Sequence, residues 1–207
     1  NYQNVIVGVD IENQKGITNP EIDITEIRQR KLVCPTTTGG INWNSVGYSP
    51  QTNALYAPTN NTCMDYYLNP VNPTVGGYHS SAVSLKIPVP EGDGQIGIFT
   101  AVDVATGEAL WTYQQRAAIT GSVLTTGGGL AFVTDDARKF RAFDVDTGEI
   151  LWEQILNSSA GGFPTTFSVD GIQYLAIAAG GGVNHRTLTP EIRQRSGGNM
   201  LFVFRLP

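Results

Sequence analysis

One thirteen-residue stretch occurs twice in this chain. Phe99 to Trp111 reads FTAVDVATGEALW, and Phe140 to Trp152 reads FRAFDVDTGEILW. The copies are offset by 41 residues and agree at nine of thirteen positions. A chain that repeats at this period stacks copies of one supersecondary unit, because a single copy cannot bury its own apolar face. A period of about 40 residues is that of a four-stranded propeller blade. Within each copy, F-x-A-x-D alternates with period two and reads as a strand. The T-G-E that follows reads as a hairpin turn, with glycine supplying a positive φ. Leu-Trp then opens the next strand. Trp111 and Trp152 are expected to be structural, wedged flat against the neighbouring blade. A degenerate third copy is expected at Tyr48 to Tyr56, with Asn53 in the glycine place and Tyr56 near the tryptophan place.

Further strands follow from alternation. Gly129 to Thr134 is one, Phe167 to Ala178 reads as a hairpin turning at Asp170-Gly171, and Met200 to Phe204 reads as a closing strand. Helix signals reduce to a single turn near Thr189 to Arg193. Asn1 to Asn72 looks irregular, and Asn69 to Thr74 reads as a loop. At about 40 to 60 residues per blade the chain is expected to hold about four blades. The 24 glycines and 11 prolines among 207 residues fit an all-β protein rich in tight turns. The net charge of −5 and the lack of a Lys/Arg-rich run argue against nucleic-acid binding. No apolar run approaches the roughly 18 residues of a membrane-spanning helix. Neither Cys34 nor Cys63 lies in a C-x-x-C motif, which disfavours zinc and attached haem. Their number alone leaves open whether they are free thiols.

The repeats resemble the tryptophan-docking motifs of PQQ-type propellers. Leu32 to Asn44, reading LVCPTTTGGINWN, resembles the V-C-P…G-G-x-N-W stretch of quinoprotein methanol and alcohol dehydrogenases. Asn60 to Asp65, Gly171 to Gly182 and Ser196 to Pro207 are also similar to that family. The resemblance implies the C-terminal part of an eight-bladed β-propeller in a periplasmic enzyme. It implies pyrroloquinoline quinone (PQQ) on the propeller axis and a calcium or lanthanide ion polarising it. It also implies an alcohol substrate giving hydride to the quinone and a cytochrome c taking the electrons. The N-terminal portion of the same propeller would carry the catalytic aspartate and the metal ligands, so neither is assigned in this chain. The resemblance allows a homodimer. An alternative of another class is a non-catalytic PQQ-like propeller acting as an outer-membrane assembly scaffold, which shares docking repeats but not V-C-P…G-G-I-N-W.

Residue by residue, Asn42 matches the family asparagine that contacts PQQ. An amide N–H there can stabilise the negative charge of a reduced quinone. Trp43 matches a tryptophan at the pocket, and Gly39 and Gly40 would serve close backbone approach. Gly161 and Gly162 match a region that approaches the cofactor. Cys34 and Cys63 match the positions of a disulfide. Spanning 29 residues, it would contribute roughly 3 kcal/mol and imply an oxidising compartment. Asp65, Asp135 and Asp136 are expected to be turn or solvated carboxylates. His79 and His185 receive no role. EIRQR occurs at Glu26 to Arg30 and again at Glu191 to Arg195 without an evident reason.

Overall fold

The computed structural model describes residues 2–181, 185–192 and 198–205. These form two compact units, Asn1–Gly40 with Asn61–Gly94, and Ile41–Asn60 with Gln95–Pro207. Asn1, Gly182, Arg193 to Arg195, Ser196, Gly197, Leu206 and Pro207, on which parts of the sequence reading fall, lie outside the described residues.

The first unit contains a ribbon of β1 (Ile6–Asp10) and β2 (Lys15–Thr18). It also contains a sheet in which β3 (Lys31–Val33) and β7 (Ala82–Pro88) flank β6 (Thr62–Leu68). The irregular reading of Asn1 to Asn72 is corrected here, because six strands fall within it. The ribbon exposes Val7 and Val9 together with Ile17, so no alternation between core and solvent marks it in sequence. A 3₁₀ turn at Pro20–Ile22 was also not expected. Its signal is Asn-Pro-Glu, in which Asn19 Oδ1 accepts the Glu21 N–H at 3.0 Å. Around Thr189 the chain makes only turns, with Thr189 N bonded to His185 O. Asn69 to Thr74 is a loop.

The second unit holds two four-stranded antiparallel sheets and one of three strands. The first runs β4 (Gly47–Ser49), β5 (Ala54–Asn60), β8 (Gly97–Asp103), β9 (Ala109–Gln115). The second runs β10 (Leu124–Thr125), β11 (Leu130–Thr134), β12 (Lys139–Asp144), β13 (Ile150–Ile155). The third runs β14 (Thr165–Val169), β15 (Ile172–Ala179), β16 (Met200–Arg205). The β14–β15 hairpin turns at Asp170 and Gly171, both at positive φ (54° and 77°), as the sequence predicts.

The two repeat copies form the β8–β9 and β12–β13 hairpins. In each, the alanine pairs directly across from the tryptophan, Ala101 with Trp111 and Ala142 with Trp152. The register shifts immediately after that alanine in both. A small residue there leaves room for the indole on the sheet face. Trp111 then reaches the second sheet. Its Nε1 donates to Val145 O at 2.9 Å, and its ring lies on Gly148, where a Cβ would stand 2.7 Å from the indole. Gly148 is also at φ +74°, so glycine is required twice over. Around this seam Tyr56, Phe99, Ala101, Phe143 and Val145 form one buried cluster. Phe132, Phe140, Leu175 and Ile177 form a second, against which Trp152 packs. Trp152 meets Phe204 edge-on at 5.2 Å.

Tyr48 to Tyr56 is not a third copy of the repeat hairpin. It joins the first and second strands of its sheet, whereas the repeats join the third and fourth. Asn53 does take a positive φ of 49°. Tyr56 is fully buried, and its hydroxyl donates to Val145 O at 3.0 Å, the carbonyl that Trp111 also uses.

Candidate functional site

The segments leading into β4, β10 and β14 lie side by side in the second unit and are stitched together by hydrogen bonds. Asn44 Nδ2 donates to Thr120 O, and Ser45 N donates to Ser122 Oγ at 2.9 Å. Ser122 N donates to Gly162 O at 3.2 Å, and Thr120 Oγ1 to Ala160 O at 3.2 Å. Gly180 N and Gly181 N, past the end of β15, both reach Ser159 O. Polar side chains and main chain therefore fasten these loops where strand pairing has stopped.

Between them lies a concavity of about 650 Å³, lined by Trp43, Thr120, Gly161, Gly162, Ala178 to Gly181, Asn199, Met200 and Leu201. That volume suits a small organic ligand. The part of its wall formed by Gly161, Gly162 and Ala178 to Gly181 is main chain and small side chains, which a flat molecule can approach closely. A Cβ on Gly161 would stand 3.6 Å from Thr120 O, and one on Gly162 would stand 3.2 Å from Ala178 O. Trp43 is 55 % exposed, so its indole is open to a ligand in the concavity. These features fit one face of a planar, multi-ring cofactor. Among the described residues, no three His, Cys, Asp or Glu side chains gather as a metal site.

Of the residues singled out from sequence, Trp43, Gly161 and Gly162 come together at this concavity. Asn42 adjoins Trp43 in sequence, is exposed, and is absent from the lining. Gly39 and Gly40 belong to the first unit. Cys34 and Cys63 are bonded to each other and fully buried. Sequence reasoning missed Thr120, Asn199 and the Gly180-Gly181 pair. The glycine run ending β15 was the available signal.

The acidic residues need one correction. Asp135 and Asp136 sit at the β11–β12 turn but are buried, not solvated. Asp135 accepts from Arg141 Nη1 at 2.7 Å, from Gln115 Nε2 at 3.0 Å and from Lys139 N at 2.9 Å. Burial pushes its carboxyl up, against the pull of the Arg141 guanidinium. Arg141 also pairs with Glu153 at 2.7 Å, so a charged network crosses between β9, β12 and β13. Asp136 takes His185 Nδ1 at 3.1 Å, a partner 49 residues away that no spacing announces. Asp65 pairs with Arg30 at 2.9 Å. The exposed His79 bonds Thr74 main chain.

Residues 114–175 match the family model of the glucose/ethanol/alcohol dehydrogenase β-propeller domain (PQQ). The chain is 33 % identical over 183 residues to the lanthanide-dependent methanol dehydrogenase of Methylacidiphilum fumariolicum, covering 87 % of this chain and 30 % of that protein. It is 34 % identical over 184 residues to a 1-butanol dehydrogenase (quinone) of Thauera butanivorans, covering 85 % and 28 %. The chain thus spans about three tenths of the length of these relatives. Among solved structures it superposes on a europium-containing methanol dehydrogenase with a TM-score of 0.87 at 29 % identity, over 99 % of this chain and 40 % of that one. A quinohemoprotein alcohol dehydrogenase from Pseudomonas putida gives 0.82 at 25 % identity, over 99 % and 32 %. The chain shares the fold of PQQ-type β-propellers and is similar in sequence to the quinoprotein methanol and alcohol dehydrogenases.

Proposed function

We propose that this chain supplies one wall of the cofactor pocket in a periplasmic PQQ-dependent dehydrogenase that oxidises an alcohol and passes electrons to a cytochrome c. The observation that carries the reading is the meeting of Trp43, Gly161 and Gly162 around one concavity. The resemblance places each of the three at or near the cofactor. When bound, pyrroloquinoline quinone supplies the hydride acceptor, and a calcium or lanthanide ion held by residues outside this chain would polarise it. The part left to this chain is shape and exclusion of water. The glycine wall admits a flat ring to main-chain contact, and the Trp43 indole offers an apolar edge or face. The buried Cys34–Cys63 disulfide agrees with an oxidising compartment. Among the described residues no helix is long and apolar enough to cross a membrane.

The test is quinone binding by the intact protein. Titration with pyrroloquinoline quinone, followed by absorbance, is expected to reach about one equivalent. Trp43→Ala is expected to weaken binding about tenfold, a loss of about 1.4 kcal/mol. A protein that takes up no quinone would refute the dehydrogenase reading and favour the scaffold alternative.

A further inference from the structure

Asn199 stands one residue before β16, and the pairing of Ala179 with Met200 brings it against Gly180 across the ladder. The fit is close. Gly180 takes φ +134°, and a Cβ there would collide with Asn199 Oδ1 and stand 2.8 Å from Asn199 Cα. Only glycine at 180 therefore lets Asn199 occupy its place. Asn157 Nδ2 donates to the preceding carbonyl, Gly198 O, and fastens the entry to the strand. The main chain at Asn199 is thus held from two sides. Its carboxamide, by contrast, makes no hydrogen bond among the described residues, and it lines the same concavity as Trp43. A carboxamide carries two N–H donors and one acceptor. Of the other side chains on this wall that carry a polar atom, Trp43 offers one indole N–H and Thr120 Oγ1 already donates to Ala160 O, so Asn199 is the side chain with both donors and an acceptor to offer a ligand's edge.

We propose that Asn199 donates a hydrogen bond from its carboxamide to an oxygen on the rim of the bound quinone. This rests on the cofactor reading above. The donor sense follows from the ligand class. A quinone carboxylic acid presents carbonyl and carboxylate oxygens around its edge, and these accept.

The experiment uses the intact protein, pyrroloquinoline quinone titrated by absorbance, and melting of the quinone-free protein. Asn199→Ala is expected to weaken binding about 3- to 10-fold, the effect of one hydrogen bond. Asn199→Asp keeps the shape but replaces the donor by a negative acceptor. It is expected to weaken binding further than alanine does and to shift the quinone absorption band. Both variants are expected to melt as wild type. Wild-type affinity and spectrum in both variants would overturn the assignment. So would an equal fall in melting temperature in both, since binding would then be following a disturbed β16. If wild type takes up no quinone, the cofactor reading falls and this inference falls with it. If Trp43→Ala weakens binding but the Asn199 variants do not, only the Asn199 assignment fails.

Discussion

Gly148→Ala is expected to loosen the seam between the two repeat-bearing sheets, and its size can be worked from geometry. Two penalties add. Gly148 sits at φ +74°, and holding an alanine in the left-handed region costs about 1–2 kcal/mol. The added methyl would also stand 2.7 Å from the Trp111 indole, which is itself pinned by its bond to Val145 O. The ring cannot retreat without breaking that bond or leaving Phe143, on which it stacks at an interplanar angle of 12°. Overpacking of this kind costs about 1–3 kcal/mol. Gly171→Ala is the matched control. It has the same backbone requirement, φ +77°, and nothing within 4 Å of the new methyl. The expected losses are thus about 1–2 kcal/mol for Gly171→Ala and about 2–5 kcal/mol for Gly148→Ala. Urea unfolding followed by tryptophan fluorescence, with an unchanged m value, measures both. Equal losses in the two variants would refute the docking argument and leave only a backbone effect.

Three other perturbations probe separate parts of the chain. Cys34→Ser with Cys63→Ser, or reduction, is expected to remove about 3 kcal/mol through the 29-residue span the bond closes, read as a reductant-dependent fall in the unfolding midpoint. Arg141→Ala leaves the buried Asp135 carboxylate without its cation and is expected to cost about 3–5 kcal/mol by chemical unfolding. That loss is expected to shrink as pH falls, because burial already favours the protonated carboxyl; a loss that grew in acid would contradict the account. Asp103 and Asp144 cap the repeat turns, each accepting the N–H of the threonine three residues on at 2.8 Å, and both carboxyls are held below their usual range by it. A lowered folded value means stability that is present above the unfolded value, about pH 4, and lost as pH falls through the folded one. Asp103→Asn with Asp144→Asn is expected to flatten the pH dependence of unfolding in that window, and an unchanged slope would show that these caps do not contribute.

What could be read from sequence was local. The repeat hairpins, the Asp170-Gly171 turn and the closing strand all declare themselves through alternation and turn chemistry within a dozen residues. The ribbon β1–β2 did not, because both of its faces reach solvent and no pattern separates them. The β5–β8 ladder was also hidden. It pairs Ala54 with Asp103 and Asn60 with Gly97 across an intervening stretch that folds into the other unit. At the candidate site, Trp43, Gly161 and Gly162 were reached through resemblance. Thr120 and Asn199 were not, since neither residue has a distinguishing neighbour in sequence. Their place at the concavity is set by the loops before β10 and β16 meeting the loop before β14. The contact of Asp136 with His185 is hidden for the same reason.

The division of labour at the Trp111 seam carries a consequence for how such chains grow. One copy of the repeat provides the inserting ring, and the other provides the receiving surface, Val145 O and Gly148. Both halves of that joint are written inside a single copy of the thirteen residues, because each copy has its own tryptophan and its own T-G turn. A tandem duplication of such a segment therefore arrives with a donor for its successor and an acceptor for its predecessor already in place.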